Sequence, residues 1–194
     1  ANAQGGIWNA ESFAKALGIT RPTVNRYLEF LEGSFMVRVL APFHHNIKKR
    51  LVKSPKVFIR DTGLLHALTG VTSMDSLINQ LLVGPSWEGF VIEQIIATLR
   101  EEYEYYFYRT HQGAECDLLL VENGVVKTAI EIKNTLSHGK TDLFIWKSEL
   151  FHFPSCSLLE VKKTPQENEL IHWKRRLAQS LHQCRKDPIP ELWL

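Results

Sequence analysis

Glu115-Cys116-Asp117-Leu118-Leu119-Leu120-Val121-Glu122-Asn123-Gly124-Val125-Val126-Lys127-Thr128-Ala129-Ile130-Glu131-Ile132-Lys133 decides the fold of this chain. Two β-rich runs flank Asn123-Gly124, a strong hairpin turn signal. Period-2 alternation puts Glu115 and Asp117 on one face of the first strand, and Glu131 and Lys133 on one face of the second. Whether those faces coincide depends on the loop. A two-residue Asn123-Gly124 turn pairs 122 with 125 and hence 117 with 130, which separates the carboxylates. A three-residue loop, Glu122-Asn123-Gly124 with Gly124 in the left-handed position, puts Glu115, Asp117, Glu131 and Lys133 together, and this bulged loop is the expectation.

Asp117 and Glu131 would then offer hard oxygen ligands to Mg2+ or Mn2+, with the Ile132 carbonyl as a further donor and Lys133 orienting water or neutralising a phosphate. Upstream, a helix from Trp87 to about Glu101 aligns Glu88 with Ile92, Ile95, Ile96 and Leu99. A carboxylate at the head of an apolar stripe must be paired, protonated or bound to a cation, so Glu88 is the third acidic candidate. The structural alternatives are a surface hairpin with weak cross-strand ion pairs and a glutamate favouring its helix dipole.

Charge divides the chain. Residues 1–56 carry nine Lys and Arg against three Glu, a net +6, whereas residues 57–194 carry 14 against 18 acidic residues, a net −4. The basic part reads as a helix-turn-helix. Asn9 caps a helix ended by Gly18, and Thr20 caps a second with Val24, Tyr27, Leu28 and Leu31 at helical spacing before Gly33. Arg21, Thr23, Asn25 and Arg26 on the second helix are residue types that contact phosphates and base edges. Two apolar runs, Phe35–Leu40 and Val57–Ile59, bracket Lys48, Lys49, Arg50 and Lys53, which reads as a basic wing. A helical hairpin that binds protein instead of DNA is the alternative.

With 194 residues, 44% hydrophobic and 23% charged, the composition is that of a globular protein, and no apolar run approaches the length of a bilayer span. Three widely spaced cysteines without Cys-x-x-Cys exclude a disulfide framework or zinc knuckle and fit the reducing cytoplasm. The start at Ala1-Asn2-Ala3, without Met, suggests that an upstream part is missing. Gly139-Lys140-Thr141 lacks the glycine five residues earlier that a phosphate-binding loop requires. Tyr105–Tyr108 reads as a strand; after Lys140, a helix to about Phe151, a strand near Ser157–Val161 and an amphipathic helix from Gln166 to Gln183 complete the reading.

The order Pro55-Lys56-Val57-Phe58-Ile59-Arg60-Asp61-Thr62-Gly63-Leu64, Gly84-Pro85-Ser86-Trp87-Glu88, Gly113-Ala114-Glu115-Cys116-Asp117 and Ile130-Glu131-Ile132-Lys133 resembles the carboxy-terminal domain of unknown function attached to a family of prokaryotic AAA-type ATPases. The resemblance runs from about Gly5 to Lys133. It implies a winged helix followed by a restriction-endonuclease-like fold of the PD-(D/E)XK superfamily, with Glu88 on the first core helix, Asp117 on the second core strand, and Glu131 and Lys133 on the third. The expectation is therefore an α/β (α+β) chain with a winged-helix module over 1–60, a nuclease-like mixed sheet flanked by helices over 61–187, and a tail over 188–194. Expected partners are DNA, a divalent Mg2+ or Mn2+ ion and an upstream ATPase domain, with no membrane. A non-catalytic adaptor that binds a protein or regulates the ATPase is the alternative function.

Overall fold

The computed structural model describes residues 1, 3–44, 52–99, 103–110, 113–132, 142–144 and 160–162. The chain is α+β and divides into two compact units, Ala1–Phe90 and Val91–Leu194. In the first, β1 (Gly6–Ile7) leads into α1 (Ala10–Leu17) and α2 (Arg21–Gly33). Both helices start where the sequence provides a cap. Asn9 accepts a hydrogen bond from the Ser12 amide at 3.1 Å, and Thr20 accepts one from Thr23 at 3.4 Å. Gly18, at φ 66°, ends α1 in the left-handed region, where a Cβ would be strained.

Next come β2 (Val37–Pro42) and β3 (Lys56–Ile59), antiparallel, with β1 pairing on the far side of β3. α3 (Thr62–Thr69) is capped by Asp61, whose carboxylate accepts from the Leu64 amide at 2.6 Å. α4 (Met74–Ile78) follows, and then α5 (Val83–Leu99). The helix predicted from Trp87 thus begins four residues earlier. Gly84-Pro85-Ser86 lie inside its first turn, where proline loses no hydrogen bond. Glu88 consequently stands in the second turn, beyond the amides that a first-turn carboxylate would cap.

The second unit carries β4 (Glu104–Arg109), β5 (Glu115–Glu122) and β6 (Val125–Ile132), successive antiparallel neighbours. Leu118, Leu119, Leu120 and Val121 are all at most 1% exposed, so both faces of β5 are covered at its centre. Beyond β6 lie β7 (Asp142–Phe144) and β8 (Glu160–Lys162), again antiparallel. β7 corrects the helix expected from Lys140. Glu131 and Ile132 on the edge of β6 pair with Phe144 and Leu143, and this ladder overrides local helix propensity. The strand expected near Ser157–Val161 is seen as β8, whereas the predicted helix over 166–183 lies outside the described residues.

Cys116 is buried on β5, and burial pushes its thiol up to about 12. Its thiolate is accordingly scarce at pH 8, by roughly four orders of magnitude relative to thiol. In native protein at pH 8, iodoacetamide is expected to label Cys116 only as fast as the second unit opens. Peptide-resolved mass spectrometry showing prompt native-state labelling would contradict that burial.

Candidate functional site

The β5–β6 hairpin reaches the predicted juxtaposition by a route the sequence reading did not choose. Glu122 pairs with Val125, so the turn is the plain two-residue Asn123-Gly124, both in the left-handed region at φ 52° and 74°. The expected three-residue loop is therefore incorrect. A β-bulge supplies the extra residue instead. Val121 pairs with Val126 but Leu120 pairs with Thr128, leaving Lys127 unopposed. From there the register runs through Leu118 and Ile130, so its continuation places Asp117 opposite Glu131 on one face.

Asp117 and Glu131 are both half-buried. The Ile132 amide donates to Asp117 Oδ2 at 2.7 Å, which fixes the carboxylate against β6. At the mouth of β5, Glu115 meets Arg109 of β4 at 3.6 Å, an ion pair open enough to contribute little stability. Lys133 lies outside the described residues. Among the described residues, no three His, Cys, Asp or Glu side chains form a metal-holding cluster.

Deletion of Lys127 is expected to be tolerated within about 1 kcal/mol, because the remaining residues form an unbroken ladder from the Glu122–Val125 pair that still sets Asp117 against Glu131. Deleting Ala129 instead would draw Lys127 into the buried place of Thr128, which is 4% exposed, at a substantially higher cost. Equal melting temperatures for the two deletions would contradict this register.

Glu88 has a partner within its own unit. Lys56 Nζ donates to Glu88 Oε1 at 2.8 Å, with side-chain exposures of 3% and 17%. Sequence reasoning found the buried carboxylate and missed the lysine. The available signal was Lys56 itself, a lone cation directly before the apolar run Val57-Phe58-Ile59 in a strand.

The proposed nucleic-acid residues separate into three groups. Arg21, Arg26 and Lys53 are exposed. Asn25 and Thr23 are engaged locally: Trp8 Nε1 donates to Asn25 Oδ1 at 3.3 Å, and the Thr23 and Thr20 hydroxyls share a hydrogen bond of 2.9 Å. Lys48, Lys49 and Arg50 lie outside the described residues. The same helix exposes Tyr27 and Phe30, at 57% and 71%.

These features define an α+β protein with an acidic β-hairpin in one unit and, in the other, three strands with α1 to α4 and the start of α5. Residues 1–75 match a domain of unknown function, DUF8612, and residues 83–160 match another, DUF4143. The chain is 42% identical over 135 residues to the uncharacterized protein Mb2031c of Mycobacterium bovis and equally to the uncharacterized protein Rv2008c of Mycobacterium tuberculosis. The matched stretch is 70% of this chain but spans only 30% of the length of those curated relatives. No solved structure matches. No helix among the described residues is long and apolar enough to cross a membrane.

Proposed function

We propose that this chain is a divalent-cation-dependent, nuclease-like module that engages nucleic acid beside an AAA-type ATPase domain. The observation that carries the reading is the bulged register that sets Asp117 and Glu131 on one face, half-buried, with Asp117 held by the Ile132 amide. Two carboxylates suit Mg2+ or Mn2+, since such ions commonly take one or two protein carboxylates and complete their shell with water and substrate phosphate. When bound, the ion supplies charge stabilisation and a more acidic water at a phosphodiester. Asp117 and Glu131 would hold it, the Ile132 carbonyl is a further donor, and Lys133, two residues beyond Glu131, would neutralise phosphate charge. Glu88 is held in an ion pair with Lys56 inside the first unit. Arg21, Arg26, Lys48, Lys49, Arg50 and Lys53 provide the positive charge for the nucleic-acid backbone in the winged-helix reading of the first unit.

The adaptor reading is favoured by one specific observation: α2 presents Tyr27 and Phe30 to solvent while Asn25 and Thr23 are engaged within the unit. Tyr and Phe are residue types enriched at protein interfaces.

Titration with Mn2+ separates the two readings. At an ion concentration of 100 times Kd, binding to the folded state alone should stabilise by about 2.7 kcal/mol. Asp117→Asn retains an oxygen for the Ile132 amide and should abolish that gain without a large loss of metal-free stability. Cleavage of single- or double-stranded DNA or RNA should disappear in Lys133→Ala. Unchanged melting at millimolar Mn2+ in the presence of DNA, or equal cleavage by wild type and Lys133→Ala, would sink the nuclease reading and leave the adaptor.

A further inference from the structure

The corner between α2 and β2 holds a backbone conformation that its residue does not favour. Helix α2 closes as a Schellman turn: the Phe35 amide donates to the Glu32 carbonyl at 2.9 Å and the Met36 amide to the Leu31 carbonyl at 3.0 Å. That turn needs a left-handed residue, ordinarily glycine, and here Phe35 takes it at φ 60°. Asn123, the other non-glycine residue with positive φ among the described residues, is of a type that tolerates this region, whereas a bulky aromatic is not. Burial does not compensate the strain, since Phe35 is 74% exposed. Its ring lies instead under Arg60, whose guanidinium carbon is 5.5 Å from the ring centroid. The Arg60 amide donates to the Met36 carbonyl at 3.1 Å, extending the β2–β3 pairing past Val37 and Ile59, so backbone anchors the arginine beside the corner.

We propose that Phe35 and Arg60 form a stacking site for one base of a single-stranded nucleic acid. Strain held in an exposed side chain points to a use outside the fold, because a glycine would close the same helix at less cost. The chemistry of the pair selects the ligand. A nucleotide brings a flat π-face for the ring and an anionic phosphate for the guanidinium in a single unit. An apolar side chain from a protein would cover the ring but draw the Arg60 guanidinium out of water without supplying a counter-charge. The surroundings agree in sign: residues 1–56 carry a net +6, and Arg21, Arg26 and Lys53 of the same unit are exposed. A duplex does not suit this site, because its bases are stacked on one another and offer the ring no face. The inference rests on the nucleic-acid reading of the first unit and makes no use of the carboxylates in the second.

The test is fluorescence anisotropy of a fluorescein-labelled oligodeoxythymidylate of about 15 nucleotides, titrated with residues 1–194 at low salt in EDTA, beside a duplex of equal length. EDTA removes divalent ions, so cleavage plays no part. Phe35→Gly should weaken single-strand binding about 5- to 150-fold, the usual contribution of one stacked base, and should change duplex binding less than about twofold. Its melting temperature should stay within about 3 °C of the wild type or rise, because relief of the left-handed strain offsets the lost cation–π contact. Phe35→Trp keeps an aromatic face and should retain single-strand affinity within about threefold. Equal losses on single strand and duplex, or equal losses in the Gly and Trp variants, would overturn the site. A Gly variant that melts lower than that range would overturn it too, by making the ring a packing group. Single-strand binding unchanged in Phe35→Gly would overturn this inference and leave the ring to a protein partner, while the nucleic-acid reading stands. No binding of either probe by the wild type would overturn both.

Discussion

Lys56→Met is expected to destabilise the first unit by about 3–5 kcal/mol, the usual range for removing one member of a buried ion pair. Lys56 is 3% exposed and its ammonium donates to Glu88 at 2.8 Å, so the substitution leaves a mostly buried carboxylate without its cation. The cost arises from that uncompensated charge more than from the lost attraction, and the double variant tests the distinction. Lys56→Met/Glu88→Leu fills the same space with apolar groups and should recover most of the stability, giving a coupling energy of at least about 2 kcal/mol in a double-mutant cycle. Additive losses would show that the two residues act independently. Should the proposed Mn2+-dependent cleavage be observed, a stable double variant that has lost it would assign Glu88 a role beyond packing, whereas retained cleavage would confine the pair to the architecture of α5 and β3.

Gly89→Ala should lower stability by about 2–4 kcal/mol, although alanine is the better helix former by about 1 kcal/mol. A Cβ at Gly89 would lie 2.7 Å from Gln4 Nε2 and 3.1 Å from Phe58 Cδ1. Neither neighbour yields easily. Phe58 is 1% exposed, and Gln4 is pinned because its other amide atom accepts the Ile59 N–H at 2.7 Å. Moving Gln4 leaves that amide unpaired at a cost of about 1–3 kcal/mol, and overpacking adds a comparable amount. Gly84, on the same helix, has no atom within 4 Å of its would-be Cβ. Gly84→Ala should therefore stabilise by up to about 1 kcal/mol. Opposite signs for two Gly→Ala changes five residues apart would be read directly from urea melts; a gain at Gly89 would contradict the close approach of α5 to Gln4 and Phe58.

Much of this fold was legible because the decisive signals are local. Asn9 and Thr20 cap their helices as short-range acceptors, Gly18 takes a positive φ, and Asn123-Gly124 marks the hairpin, although as a two-residue turn and not within the expected three-residue loop. Each depends on groups within a few residues of one another, and the sequence lists those groups in order. The bulge at Lys127 was not legible. An Asn-Gly turn alone predicts one pairing parity, and whether an extra residue is absorbed further along depends on which side chains the covered faces of β5 accept. The alternation that brought Asp117 and Glu131 into consideration was thus correct as a pattern, while their meeting on one face required the register.

Sequence by itself determined the identity of the elements around the site, the two acidic strands and the carboxylate at the head of the α5 stripe. Tertiary structure alone decided what each charged group meets. Glu88 is joined to a lysine 32 residues away, β6 acquires β7 where helix propensity favours a helix, and the apolar stripe of α2 buries only Val24. Periodicity records that a side chain must leave water or be paired. It carries no information about which distant surface meets it, because that is set by chain closure and packing across the whole unit.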